Sequence, residues 1–152
     1  MHPKQEKLIR LYADHFHENY KMGPLQAQIF GYVLIIGKKQ GVTFDDILCY
    51  TKASKSSVST SINCLLDRKS IYYNHKNNER KKYFYPNNLA SVLERTEKII
   101  KKDIELLIEM MSYYEDVKEN ENDNKHLNNM RLFKDHLEKI EKSIQDTLHN
   151  FE

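Results

Sequence analysis

The sequence predicts a mainly α-helical chain: a winged helix-turn-helix with a two-stranded β-wing, flanked by long N- and C-terminal dimerisation helices. Three observations predict it. A short helix opening at Ser54 separates into an apolar face and a small polar one, a hairpin pattern runs from Ile71 to Tyr85, and helix-spaced apolar residues fill the chain before Gly23 and after Pro86. At 152 residues the chain can form one packed domain, or a smaller domain with a dimerisation appendage. Four glycines, three prolines and a charged fraction of 30% fit long solvated helices.

From Gln5 to Tyr20, apolar positions at Leu8, Leu11, Tyr12, His15 and Phe16 describe an amphipathic helix whose apolar side needs a partner. Gly23 and Pro24 punctuate the chain, and Pro24 suits the first position of a new helix because its missing amide is not needed there. That helix, Pro24 to about Lys38, carries Leu25, Ile29, Phe30, Tyr32, Val33, Leu34 and Ile36 around most of its circumference, which puts it at the buried centre. Thr43 then caps a short helix, with Asp46 three residues on in the manner of a capping box. Phe44, Ile47, Leu48 and Thr51 line its inner face, and Lys52 and Ala53 make the tight turn into Ser54.

Ser54 is a good N-cap, since its hydroxyl accepts from an amide left unpaired by the first turn. At about 100° per residue, Val58, Ser61, Ile62, Leu65 and Leu66 fall on one side, and Ser56, Ser59, Thr60 and Asn63 on the other. Ile71, Tyr72 and Tyr73 are β-formers, Asn77 and Asn78 tolerate the backbone of a turn, and Tyr83, Phe84 and Tyr85 resume the strand. The tip and return strand carry Glu79, Arg80, Lys81 and Lys82.

After Pro86, Asn88 caps a long helix with a heptad seam of Leu89, Leu93, Thr96, Ile100, Asp103, Leu107, Met110, Tyr114 and Val117, in which Thr96 and Asp103 read as register marks. A second stripe of Val92, Ile99, Leu106, Ile108 and Met111 widens the apolar surface, so more than one partner helix is expected. Residues Glu119 to Lys125 form a polar acidic connector. A last helix, Lys125 to Phe151, presents Leu127, Met130, Phe133, Leu137, Ile140, Ile144, Leu148 and Phe151. The expected division is therefore 1–22 for an N-terminal dimerisation helix, 23–86 for the winged helix-turn-helix, and 87–152 for a C-terminal helical dimerisation arm.

Between Lys38 and Tyr85 the net charge is +6, and the remaining residues carry −4. Positive charge concentrated beside a slim, uncharged helix face points to duplex DNA: small hydroxyls and Asn63 let a backbone approach base edges and phosphates, Lys55 adds a cation, and a basic hairpin reaches a neighbouring phosphate run or minor groove. The bland reading of Ser56, Ser59, Thr60 and Asn63 is a solvated face, and that of Arg80, Lys81 and Lys82 an edge guarded against strand pairing. The N-terminus lacks the apolar core of a signal peptide, and Ile29 to Ile36 is too short to cross a bilayer, so a cytoplasmic home without membrane attachment is expected. Cys49 and Cys64 form no CxxC pair and fit a reducing compartment; redox activity at either is the sharper alternative to inert thiols. The seven histidines show no HExxH and no cysteine–histidine set, so no metal and no cofactor are expected. Without a glycine-rich phosphate loop or a nucleophile elbow, the chain is not read as an enzyme.

The runs GPLQAQIFGYVLI (Gly23 to Ile35), TFDDILCYTKASKSSVSTSINCLLDRKSIYY and NERKKYFYP together resemble the GbsR-like branch of the MarR-type winged-helix transcriptional regulators, over about Gly23 to Pro86. The resemblance implies a homodimer on a pseudo-palindromic operator, usually as a repressor. It implies Lys55, Ser56, Ser57, Ser59, Thr60 and Asn63 on the recognition helix and Arg80 in the wing; the basic run itself adds Lys81 as a candidate DNA contact. Three departures stand out: Ser70 where the turn after the recognition helix is commonly glycine, Asn77 and Asn78 where the wing tip usually has glycine or aspartate, and Asn63 where many relatives carry arginine. Some relatives sense choline-like quaternary ammonium compounds. Tyr12, Phe16, Tyr20, Tyr32, Tyr113 and Tyr114 are candidate rings for such an effector, against the commoner role of core packing. The rival class is a winged helix serving as a protein interaction module without DNA; a third is a nucleic-acid-processing subunit that prefers single strands.

Overall fold

The computed structural model describes residues 1–76 and 80–151. The chain forms two compact units, Met1–Asn87 and Asn88–Glu152.

The first unit opens with α1 (Pro3–Tyr20), capped by a box in which His2 and Gln5 satisfy each other's end of the first turn. Its inner face differs from the expected one. Ile9 is fully buried and Ala13 and Phe16 pack against the core, whereas Leu8, Leu11 and Tyr12 lie on the exposed side. The reason is the neighbour: α2 (Pro24–Gln40) presents Gly31, where a Cβ would stand 2.8 Å from the Ile9 carbonyl oxygen. Only a small-residue contact permits that approach, and Ile9 and Ala13 flank it. The rest of α2 is the centre of the unit as expected, with Ala27, Ile29 and Val33 buried.

After Gly41, whose φ of +71° suits glycine, Val42 and Thr43 form a short strand β1. Thr43 is at once strand residue and N-cap of α3 (Phe44–Thr51). Its hydroxyl accepts from the Asp46 amide at 3.2 Å, and the Asp46 carboxylate accepts from the Thr43 amide at 2.8 Å and from its hydroxyl at 2.7 Å. Lys52, in the left-handed region at φ 53°, turns the chain into α4 (Lys55–Asp67).

The strands β2 (Ile71–His75) and β3 (Lys82–Pro86) make the wing, and β1 joins them in a three-stranded antiparallel sheet of order β1-β3-β2. The register pairs Val42 with Phe84 and Thr43 with Tyr83 on one side of β3, and Ile71 with Pro86 through His75 with Lys82 on the other. The extra strand ties the wing to the base of α3. The expected turn at Asn77 and Asn78, with Glu79, lies outside the described residues.

The turn after α4 corrects a second expectation. Lys69, not Ser70, takes the left-handed conformation at φ 53°. The Lys69 amide donates to Leu66 O and the Ser70 amide to Leu65 O, both at 2.9 Å, which is a Schellman closure. Ser70 is buried and immediately precedes β2.

In the second unit α5 (Leu89–Val117), capped by Asn88, packs antiparallel on α6 (Glu121–His149). Gln145 donates to Glu97 at 2.9 Å near one end, and Arg131 pairs with Glu115 near the other. The buried stripe of α5 is Ile100, Ile104 and Leu107, with Leu93, Met111 and Tyr114 partly covered. Asp103 is therefore not in the seam. Thr96 is not either; it is exposed, and its hydroxyl donates to Val92 O in its own helix. Every seventh residue of the expected seam is right, and the alternate positions fall one residue later because α6 lies on that side. On α6, Leu127, Met130, Leu137 and Ile144 are buried, while Phe133 is 56% exposed. The connector is also shorter than expected. Asn120 caps α6 in a box with Asp123, so the acidic stretch is the helix's own first turn.

Candidate nucleic-acid interface

The interface is assembled from α4, the wing and the start of α3. Val58, Ile62 and Leu65 anchor α4 in the core, and this fixes its rotation so that Ser56, Ser57, Ser59, Thr60 and Asn63 face outward with Lys55. Ser54 caps the helix by accepting from the Ser57 amide at 3.2 Å. Its hydroxyl also lies 3.1 Å from the Ser56 hydroxyl and 2.8 Å from that of Ser57, so three hydroxyls crowd the helix start. Thr60 donates to Ser56 O at 3.0 Å, which leaves its oxygen lone pairs available outward. The face is thin, polar and free of carboxylates, as groove entry requires.

The wing stands on the same side as that face. Ser59, Ile62 and Asn63 of α4, Phe44 and Asp45 of α3, and Lys81, Lys82 and Phe84 of the wing line one open groove of about 310 Å³. The basic residues differ in how they are held. Lys82 lies 4.2 Å from the Tyr73 ring centroid, and Lys81 pairs with Asp45 at 3.8 Å. Arg80 is exposed, and among the described residues it pairs with no carboxylate.

Two contributors escape the sequence reading. Lys76 donates to Gln40 O at 2.6 Å and sits 4.1 Å from the Tyr83 ring centroid, and the Tyr85 hydroxyl also donates to Gln40 O, at 3.3 Å. These bonds brace the wing against the end of α2. Asp45 is the other, and no local pattern marks it, because its partner is distant in sequence.

The candidate effector rings fall in separate places. Tyr12, Phe16 and Tyr20 form a row along α1, with Phe16 at 5.7 Å from Tyr12, 5.6 Å from Tyr20 and 4.5 Å from Phe30. Tyr32 instead stacks on Tyr50 at 4.3 Å beside a cleft that Cys49 also lines. Burial, with the nearby Asp46, raises the Tyr32 phenol above its ordinary range. Tyr113 and Tyr114 belong to the second unit, where Tyr114 meets His126 edge-on at 5.0 Å. Cys49 and Cys64 are both exposed free thiols. Among the described residues no group of ligating side chains could hold a metal ion, and no helix is long and apolar enough to cross a membrane.

The architecture is that of a winged helix: a three-helix core, of which α4 is exposed on one face, and a wing beside it. A solved structure described as a transcriptional regulator shares this fold, with a TM-score of 0.71 over 97% of this chain and 97% of its own, at 15% identity. Less similar are a mutant of MepR from S. aureus, with a TM-score of 0.45, 20% identity and coverage of 82% and 87%, and a MarR protein from Peptoclostridium difficile, with 0.39, 11%, 93% and 85%. No protein-family model and no curated protein matches the chain.

Proposed function

We propose that this protein is a sequence-specific, double-stranded-DNA-binding transcriptional regulator of the MarR type, in its GbsR-like branch, acting in the cytoplasm as a homodimeric repressor on a pseudo-palindromic operator. One observation carries the reading: Ser59 and Asn63, at the edge of the uncharged face of α4, and Lys81 and Lys82 of the wing border the same groove. A duplex laid there meets Ser56, Ser59, Thr60 and Asn63 at base edges and phosphates, and Lys55, Arg80 and Lys81 at phosphates or the minor groove.

Dimerisation is supported by apolar surface that one chain leaves uncovered. In the first unit this is Leu8, Leu11 and Tyr12; in the second, Ile99, Leu106 and Phe133 are each more than half exposed. Two copies would set their recognition helices about 34 Å apart to meet one face of the duplex. A quaternary ammonium effector fits the same reading, with the exposed ring of Tyr20, outside that apolar surface, as a cation–π face. Calorimetric titration with choline tests that part.

The central test begins by sequencing genomic fragments that the purified protein retains, then measures affinity for a retained site by fluorescence anisotropy at fixed salt. Asn63→Ala and Arg80→Ala should each weaken binding by roughly 1–3 kcal/mol while leaving the melting curve in place. Log affinity should also fall steeply with log salt, which separates this reading from a protein adaptor. Absence of duplex binding at low salt would overturn it.

A further inference from the structure

We infer that Asp45 sets the DNA affinity of this groove by competing with phosphate for Lys81, an inference that rests on the DNA-binding reading above. The carboxylate stands within the surface that a polyanion must approach, 3.8 Å from the Lys81 ammonium, and its side chain is 78% exposed. Its position follows from the sheet. The β1–β3 ladder pairs Val42 with Phe84 and Thr43 with Tyr83 and stops there; α3 starts at Phe44, so Asp45 in its first turn stands beside the end of β3 where Lys81 lies.

An acid in the first turn of α3 suits the helix dipole, but Asp46 already fills that role and the cap, and neither requires a carboxylate beside Lys81. An ion pair as exposed as this one contributes little to folding, because water screens both partners. The capping work of the first turn belongs to the neighbour, Asp46, whose oxygen is engaged by the Thr43 amide and hydroxyl. Asp45 takes no part in that box. What it does is neutralise one of the few cations that point into the groove and place a negative charge where phosphates would dock.

The competition has a thermodynamic signature. In the free protein Lys81 already has an anionic partner, so exchanging it for phosphate gains less than recruiting an unpaired cation. The same docking also brings the displaced carboxylate close to the DNA backbone. Removing the charge therefore raises affinity and restores one full phosphate contact to the salt dependence.

The experiment uses the full-length protein and a 5′-labelled random-sequence duplex of about 30 base pairs, with anisotropy titrations from low to moderate salt. Asp45→Asn should bind about three- to tenfold more tightly than wild type, with a log–log salt slope steeper by roughly 0.9, the value of one more neutralised phosphate. Lys81→Gln should bind more weakly, and adding Asp45→Asn to it should give a smaller gain than Asp45→Asn gives in wild type, because only the carboxylate's own repulsion of phosphate is then removed. Circular dichroism melts of all four proteins check that each is folded.

Equal affinity and slope for wild type and Asp45→Asn would overturn the competition while leaving DNA binding standing. An equal gain from Asp45→Asn in the Lys81→Gln background would overturn it too, since the carboxylate would then act on phosphate without Lys81. If none of the four folded proteins binds duplex at low salt, the DNA-binding reading falls and takes this inference with it.

Discussion

Replacing Gly31 by alanine should destabilise the first unit although alanine is the better helix former. A methyl group there would stand 2.8 Å from the Ile9 carbonyl oxygen and 3.5 Å from both the Ala13 nitrogen and Ile9 Cγ2. The nearest obstacle is backbone, so no rotamer change relieves it, and α1 must move away from α2 by several tenths of an ångström. Against this, the substitution gains about 1 kcal/mol of helix propensity. Overpacking a close contact costs about 1–3 kcal/mol, and a backbone obstacle belongs at the upper end of that range. Moving α1 also loosens Ile9, which is fully buried. The net expectation is a loss of roughly 1–2 kcal/mol. Urea denaturation followed by circular dichroism should show a lower midpoint at an unchanged m-value. Gly23→Ala is the steric control: it meets nothing within 4 Å, and its loss should be confined to the poorer N-cap, about 0.5–1 kcal/mol. A Gly31→Ala protein as stable as wild type would refute the close packing of α1 on α2 as the reason for glycine.

Three further outcomes are expected. Ile104→Ala should lower stability by about 2 kcal/mol or more, whereas Asp103→Ala should stay within about 0.5 kcal/mol, and the reverse order in thermal melts would restore the acid-containing seam. Lys69→Gly should stabilise by about 0.5–1 kcal/mol, since glycine relieves the left-handed backbone at φ 53°; a lower melting temperature would count against the Schellman turn. The third concerns pH. The hydrogen bond from the Thr43 hydroxyl holds the Asp46 carboxyl below its ordinary range, while its partial burial pushes the other way and the Thr43 amide and Lys81 add to the lowering. Its folded pKa is therefore depressed, so its stabilisation is present above the unfolded value and is lost as pH falls through the folded one. Asp46→Asn should be less stable near neutrality and show a shallower loss in acid; parallel pH profiles for the two proteins would remove the carboxylate from the account.

Much of the candidate interface's local structure was legible in the sequence because it depends on groups close in the chain. Ser54 caps α4 as its hydroxyl demands, Thr43 and Asp46 close their box within three residues, and the 3.6-residue period assigns Ser56, Ser59, Thr60 and Asn63 to the side opposite Val58, Ile62 and Leu65. The fold class follows from the same local signals. Periodicity becomes ambiguous where a helix carries two adjacent apolar stripes. Leu93, Ile100, Leu107 and Tyr114 fit either seam of α5, and only the side on which α6 packs selects Ile104 and Met111 over Asp103 and Met110.

What the sequence by itself determined is the kind and order of the elements and the polarity of each face, since these depend on groups a few residues apart. The tertiary structure decided which face meets which neighbour. Ile9 and Ala13 turn inward because Gly31 lacks a side chain, β1 exists because β3 offers it a free edge, and Lys81 meets Asp45 because that pairing brings the first turn of α3 beside the end of β3. Each of these choices rests on a partner distant in sequence, whose shape and unpaired backbone are unavailable to any local pattern.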